Sequence, residues 1–175
     1  MIQHLTIRYC LTKGDDVQAT APQATEQLKT LWVIGHKVTP IPAGDRIAAL
    51  QVATPVGTPG PPPHYHADAA EAFYVVAGRL GVMAGGEWTS LGPGGYAEVP
   101  RGVVHTFRND GEEEVRTITA FDVPGFENWF EEFGYDMADP GAYENSISQD
   151  TIQRVLQGSA RHHMIIVPPD PDAGA

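Results

Sequence analysis

Short extended runs, separated by glycine and proline, dominate the chain from residue 31 to residue 123. Most runs are rich in β-branched and aromatic residues, and the breaks between them hold residues that favour turns. Regular alternation of short strands and turns is typical of a β-sandwich or a β-barrel. The predicted strands are residues 30–34, 46–53, 71–77, 80–83, 88–91, 97–99, 103–108 and 115–121. We therefore expect an all-β protein.

Two of the breaks predict hairpins. Gly85 and Gly86 supply the positive φ angles that a tight turn requires between residues 80–83 and 88–91. The sequence Asn109-Asp110-Gly111 is expected to join residues 103–108 to residues 115–121 in the same way.

A helical period replaces the strand pattern after residue 124. Four aromatic residues at i, i+3, i+4 and i+7 predict one helix, which Gly134 ends; they are Phe126, Trp129, Phe130 and Phe133. Ser148 is the predicted N-cap of a second helix that ends near Gly158. Both apolar stripes are expected to pack on the barrel or on a partner subunit.

The chain is thus divided into an N-terminal arm (1–30), a β-barrel (31–123) and a C-terminal segment of helices and extended tail (124–175). Short β-like runs at residues 1–12 and 163–168 favour extension of a sheet edge or a swap across a dimer. A homodimer is the predicted assembly.

Charge and cysteine content exclude some partners. The 22 acidic and 11 basic residues give a net charge of -11, which repels nucleic acid and anionic membranes. The lone Cys10 cannot form an internal disulfide, and the first residues lack the apolar core of a signal peptide. We expect a cytoplasmic protein with a small-molecule partner.

Residues 61–78, PPPHYHADAAEAFYVVAG, contain the candidate site. His64 and His66 point to one side of a strand because side chains alternate along it. Glu71 begins the next run, and a turn between the runs brings it over the histidines. A third imidazole, His105, lies on a strand face between Val103 and Phe107, which indicates that it points inward.

Three imidazoles and one carboxylate predict a site for one divalent transition metal ion. This ligand set suits Fe, Ni, Mn, Co, Cu or Zn, whereas Ca and Mg prefer oxygen ligands. Four protein ligands leave coordination positions open for water, O₂ or a chelating substrate.

The spacing of these residues resembles the two motifs of the cupin family. The first motif, His-x-His, then Glu and Gly, matches His64, His66, Glu71 and Gly78. The second matches Gly94, Pro100, Gly102, His105 and Asn109 without a gap. One position departs, since the Gly expected before the first His is Thr58. The departure affects a loop and not the ligands.

The resemblance implies a jelly-roll (double-stranded β-helix) barrel with one or two short C-terminal helices. The segments LWVIGHKVT and GFENWFEEFG are similar to single-domain cupins related to quercetin 2,3-dioxygenase. That similarity implies a metal-dependent dioxygenase acting with O₂ on a flavonol-like or other enolisable aromatic or polyketide-type molecule. Two alternatives stay open: an O₂-independent cyclase, isomerase or lyase, and a non-catalytic small-molecule-binding cupin.

Within this hypothesis Glu71 is either a metal ligand or the base that takes a substrate proton. Five apolar residues either line the substrate pocket or fill the core, namely Phe73, Val75, Val103, Phe107 and Phe121. The remaining histidines, His36 among them, are expected to be surface or hydrogen-bonded residues.

Overall fold

The computed structural model describes residues 28–168. These residues form two antiparallel sheets, three short α-helices and one 3₁₀ turn at Ser159–His162. The strands are β1 (Leu31–Val33), β2 (His36–Ile41), β3 (Ala48–Thr54), β4 (His64–His66), β5 (Glu71–Ala77), β6 (Leu80–Ala84), β7 (Glu87–Leu91), β8 (Tyr96–Val99), β9 (His105–Asn109), β10 (Val115–Phe121), β11 (Tyr135–Asp136) and β12 (Met164–Ile166). The helices are α1 (Glu127–Phe133), α2 (Ala142–Ser146) and α3 (Gln149–Gly158).

The two sheets face each other as in a jelly roll. The larger sheet has the order β11-β1-β2-β3-β10-β5-β8, and the smaller has the order β12-β4-β9-β6-β7. From β3 to β10 the chain crosses repeatedly between the two sheets, and only β6 and β7 are consecutive strands of the same sheet. The predicted all-β jelly-roll barrel is confirmed.

Alternation of side chains along the strands fills the space between the sheets with two groups of apolar residues. We call the first the filled cluster; it consists of Phe73, Val75, Leu80, Val82, Val99 and Val115. We call the second the cavity cluster; it includes Leu31, Val33, Val38, Leu50, Val52, Phe121, Phe126, Trp129, Phe133 and Met164. The strands supply the whole filled cluster, whereas α1 and the C-terminal segment complete the cavity cluster.

Two-residue turns close two of the hairpins. Gly85 and Gly86, with φ of 59° and 92°, join β6 to β7 as predicted. Ile34 and Gly35 join β1 to β2, with φ of 42° and 84°. A β-branched residue is strained at positive φ, so surrounding packing must hold Ile34 there.

The predicted hairpin at Asn109-Asp110-Gly111 is wrong. Strand β9 pairs with β4 and β6, whereas β10 pairs with β3 and β5 in the other sheet, so this segment is a crossover. The Asn109 side chain shapes the corner: its Oδ1 accepts from the Gly111 N–H, and its Nδ2 donates to the carbonyl oxygens of Thr54 and Glu113. Turn composition alone did not separate a corner from a hairpin.

Four further elements differ from the sequence prediction. Strands β2 and β11 and helix α2 were not predicted, and β9 begins at His105 and not at Val103. The Val103 N–H bonds to the carbonyl of Pro100 in a turn, which delays the strand. Gly134 follows α1 as predicted, although its backbone is extended and its N–H bonds to the carbonyl of Phe130.

The C-terminal segment lies against its own chain. Ser148 caps α3 as predicted, because its side chain accepts from the Thr151 N–H. Strand β12 extends the smaller sheet by pairing with β4, with Met164 opposite His66 and Ile166 opposite His64. The predicted run at residues 1–12 and most of the predicted arm lie outside the described residues.

None of the helices within residues 28–168 is long and apolar enough to cross a membrane.

Candidate metal centre

Four buried side chains converge between the sheets: His64, His66, Glu71 and His105. Each offers one ligand atom, and these atoms all lie within 4.8 Å of one another. Strand β4 provides both histidines of the first motif, β5 begins with Glu71, and β9 begins with His105. The pairing of His64 with His105 across β4 and β9 brings the two motifs together.

Backbone carbonyls fix the orientation of two imidazoles. The Nδ1 of His64 lies 2.9 Å from the Pro62 carbonyl oxygen, and the Nδ1 of His105 lies 2.9 Å from the Val103 carbonyl oxygen. A carbonyl accepts only, so both Nδ1 atoms carry the proton. The neutral His64 ring then presents its Nε2 lone pair, and the His105 ring would do the same once a metal ion replaced the proton that its Nε2 donates to Glu71. Metal-binding histidines commonly have their second nitrogen held in this way.

Spacing around Glu71 fits a metal ion. Its Oε2 lies 3.1 Å from Nε2 of His66 and 2.9 Å from Nε2 of His105. Ligands about 2.1 Å from one ion and at right angles to each other are separated by about 3 Å. The donor set therefore suits a divalent transition metal, and His64, His66, Glu71 and His105 are the residues that would hold it.

Without the ion, the carboxylate and the imidazoles stabilise one another. Burial by itself raises the pKa of Glu71, but hydrogen bonds from His105 and His66 outweigh it and lower the pKa to about 2. Burial and the neighbouring His105 lower the pKa of His64 to about 3. Burial also opposes the charge on His105, yet its hydrogen bond to Glu71 raises its pKa. The centre thus presents an anionic carboxylate and at least one neutral imidazole.

A cavity of about 50 Å³ adjoins this centre. His64, His66 and Glu71 form one part of its wall. Apolar residues of both sheets and of the α1 region form most of the rest, among them Leu50, Val52, Phe107, Phe121, Phe126 and Phe130. This volume holds one or two water-sized molecules, whereas pockets for drug-sized ligands measure roughly 300–1,000 Å³.

The five predicted pocket residues separate into two groups. Phe107 and Phe121 line the cavity, and the Phe121 ring lies 5.2 Å from the His66 ring. Phe73 and Val75 belong to the filled cluster, and Val103 packs against it. Only Phe107 and Phe121 are therefore placed to contact a ligand in this cavity, and the other three support the barrel.

Among the cavity-wall residues that sequence reasoning missed, His36 and Phe126 matter most to the site. His36 is buried on β2 and hydrogen-bonded to Thr54, in line with one of the two expectations, but its place in the cavity wall was not predicted. The Phe126 ring packs edge-on against the His66 ring at 4.7 Å, and it lies 4.2 Å from the Phe121 ring at an interplanar angle of 36°. The aromatic stripe revealed the helix that follows Phe126, but nothing in its period showed that the helix covers the metal-binding side chains.

Comparison with known proteins bears on this site. The family model described as "Cupin domain" matches residues 50–121, which include all four converging side chains. The chain contains a cupin domain. An RmlC-like cupin from Shewanella frigidimarina has the same fold, with a TM-score of 0.53 and 23% identity over 61% of this chain and 93% of that one.

Two curated relatives of the cupin domain are redox enzymes. The oxidoreductase OpS7 of Beauveria bassiana is 38% identical over 79 residues, and quercetin 2,3-dioxygenase of Bacillus subtilis is 33% identical over 84 residues. The matches cover 45% and 48% of this chain but only 23% of each relative. The similarity therefore concerns the cupin domain and not the whole of either enzyme.

Proposed function

We propose that this protein is a metal-dependent dioxygenase that acts on a flavonol-like or other enolisable aromatic or polyketide-type molecule. The observation that carries the proposal is the convergence of three imidazoles and Glu71 beside an aromatic-walled cavity. The similarity of the cupin domain to a quercetin 2,3-dioxygenase supports this chemistry. When bound, the metal ion would supply Lewis acidity and coordination positions that are open to substrate.

Glu71 and the aromatic residues of the cavity wall have different roles in this proposal. Glu71 Oε2 already accepts two hydrogen bonds from imidazoles, which favours a ligand role for this carboxylate over that of a free base. Phe107, Phe121 and Phe126 exclude water and offer flat faces against which an aromatic ring packs. Held in this way, an enol or phenol oxygen is directed toward the four converging side chains.

Cavity size sets a condition on this function. A flavonol does not fit into about 50 Å³, so its binding requires the wall to move. The α1 region contributes Phe126, Trp129 and Phe130 to that wall, and α1 has only seven residues. We expect this segment to shift when a large substrate enters.

The test begins with elemental analysis of protein purified without added metal. Oxygen uptake is then measured with a panel of flavonols and smaller enolisable aromatics, with the His105→Ala variant as a control for the metal site. We expect uptake by the metal-loaded protein alone. Equal turnover with and without O₂, or no turnover across the panel, contradicts a dioxygenase.

The small cavity favours a second candidate, an O₂-independent cyclase, isomerase or lyase with a smaller substrate. The same centre would then polarise a carbonyl oxygen. Turnover under strict anaerobiosis identifies this activity. Tight binding without any conversion would instead identify a non-catalytic binding protein.

We also propose a homodimer. Tyr74 and Tyr96 lie opposite each other on β5 and β8, and together with Val76 they expose apolar surface at the edge of the larger sheet. Analytical ultracentrifugation at micromolar concentration tests this assembly, and a Tyr96→Lys variant should dissociate it. The cytoplasmic location stays a prediction from the sequence.

A further inference from the structure

His36 is a buried histidine that takes no part in the metal-binding group. Its side chain is 3% exposed, and its Nδ1 lies 2.9 Å from Thr54 Oγ1. Its Nε2 is also buried and has no hydrogen-bond partner among residues 28–168. An unpartnered polar atom lowers the stability of a protein unless something else binds it.

The unpartnered nitrogen belongs to the same cavity as the metal-binding side chains. His36, His64, His66 and Glu71 all line it. Most of the other lining side chains are apolar, including Val38, Leu50 and Phe107. A molecule in this cavity therefore meets polar groups at the metal centre and a further one at His36.

Three contacts fix the His36 ring in place. Thr54 holds Nδ1, the Phe107 ring packs at 5.4 Å, and the β1–β2 turn sets the backbone by pairing His36 with Val33. That turn contains Ile34 at a φ of 42°, a strained conformation for a β-branched residue. Strain of this kind is tolerated where surrounding structure requires it, and it often occurs at binding sites.

The ring is neutral at physiological pH, since burial lowers the pKa of His36 to about 4 and outweighs the raising effect of the nearby Pro59 backbone carbonyl. A neutral imidazole nitrogen surrounded by apolar walls suits an uncharged hydroxyl or carbonyl oxygen. It does not suit a carboxylate or a phosphate, which would be buried there without a counter-charge.

We propose that His36 Nε2 is a second polar anchor for the substrate and exchanges a hydrogen bond with an uncharged oxygen that is not bound to the metal. The substrate class is then an apolar ring system with at least one hydroxyl or carbonyl group beyond the metal-chelating oxygens. This inference deepens the proposed function and rests on it for the nature of the ligand. His36 acts here as a binding residue, whatever reaction follows.

The experiment measures binding and not turnover. The full-length protein is loaded with Zn(II), and dissociation constants are determined anaerobically for catechol and for pyrogallol and hydroxyquinol, which each add a third hydroxyl group. The same series is measured for the double variant His36→Phe/Thr54→Val, which keeps an aromatic ring beside Phe107 and leaves no hydroxyl unpartnered. Zinc content and thermal unfolding are recorded for each protein.

We expect at least one trihydroxybenzene to bind the unmodified protein about threefold to tenfold more tightly than catechol does, as one neutral hydrogen bond allows. That gain should disappear in the double variant while the zinc content is unchanged. The His36→Gln variant, which keeps a polar nitrogen, should recover part of the gain; it also serves as the test if the double variant does not fold.

A gain that persists in the double variant overturns the proposal. The proposal is also overturned if a third hydroxyl group gives no gain in affinity for the unmodified protein, or if the unmodified protein binds none of the three compounds. Failure of the proposed function is distinguishable: a His36-dependent gain without oxygen uptake supports the anchor and removes the dioxygenase. Oxygen uptake by the unmodified protein, with equal ligand affinities in the unmodified protein and the double variant, supports the dioxygenase and removes the anchor.

Discussion

The two apolar clusters of the barrel are built from the same kinds of residue, but only the cavity cluster surrounds an open space with buried polar atoms. The filled cluster consists entirely of hydrocarbon side chains from strands, and Phe73 and Val75 are almost completely buried in it. The cavity cluster surrounds a void, and two buried nitrogens without partners among residues 28–168, His36 Nε2 and His66 Nδ1, belong to side chains that line this void.

We expect the filled cluster to contribute mainly to the stability of the protein and the cavity cluster to contribute mainly to ligand binding. A cluster of hydrocarbon side chains that are almost completely buried gains the full benefit of burial. A cavity lined by unpartnered nitrogens loses part of that benefit, and binding of the proposed metal ion and ligand would restore it. Variants in the two clusters should therefore affect different measurements.

The largest effect on stability is expected from Phe73→Ala in the filled cluster. Removing this fully buried ring should lower the free energy of unfolding by about 3–5 kcal/mol without changing the metal-binding residues. Phe130→Ala in the partly exposed cavity wall should cost about 1–2 kcal/mol and widen the cavity. Denaturant titration checks both values, and equal losses would remove the distinction between the clusters.

Metal affinity should depend on the four converging side chains and not on the filled cluster. His105→Ala removes one of four ligands and should weaken metal binding on the order of 100-fold or more. His163→Ala is the control, because His163 is exposed and lies 3.0 Å from Asp68 instead of a metal-binding side chain. Competition titration with a chromogenic chelator measures both. An unchanged affinity in His105→Ala would remove this residue from the ligand set.

Gly60→Ala tests how closely the loop before the first motif packs on β9. A Cβ at Gly60 would lie 1.7 Å from the Phe107 carbonyl oxygen, so the backbone must move, and we expect a loss of about 3 kcal/mol or more. The matched control is Gly57→Ala. A Cβ at Gly57 meets nothing within 4 Å, and its φ of 75° should cost only about 1 kcal/mol. Thermal unfolding compares the two variants.

The metal-free protein should lose stability as the pH falls from 6.5 toward 4. His36 has its pKa lowered from 6.5 to about 4, so in this window the unfolded chain binds a proton that the folded chain does not. His64, with a pKa of about 3, acts in the same direction. Well inside the window each histidine contributes a slope approaching about 1.4 kcal/mol per pH unit.

Two other groups do not alter this slope. The pKa of His105 is raised, so its contribution is complete below pH 6.5 and is lost only as the pH rises. The pKa of Glu71 is lowered, so its contribution is present above 4.5 and is lost as the pH falls toward 2. Urea unfolding at pH 6.0 and 5.0 checks the prediction. The double variant His36→Phe/Thr54→Val should show about half the slope; an identical slope contradicts the role of His36.

The smallest effect is expected at the outer surface. The Arg108 guanidinium lies 4.0 Å from the ring centroid of Trp88, which is half exposed on β7. Trp88→Ala should cost about 0.5–1 kcal/mol and leave metal affinity unchanged. A loss above about 2 kcal/mol in thermal unfolding would show that the filled cluster depends on this outer contact.

Local periodicity explains what could be predicted. Alternation along a strand placed His64 and His66 on one side, and the spacing to Glu71 and His105 matched a known family, so the metal-binding group was recognisable before folding. Gly85-Gly86 and Ser148 were recognised because a tight turn and an N-cap each depend on only a few neighbouring residues.

Contacts between distant segments decided the rest. Asn109 makes a corner and not a hairpin because its side chain bonds to Thr54, on a strand of the other sheet. His36 became part of the cavity wall because β2 lies between β1 and β3 in the larger sheet. Phe126 contacts His66 because the segment between β10 and α1 packs against the metal-centre end of the barrel. The sequence by itself determined which side chains form the candidate metal-binding group, since that depends on residue type and local spacing. Only the tertiary structure decided what surrounds them and how much space they enclose, because packing between segments remote in sequence sets a cavity.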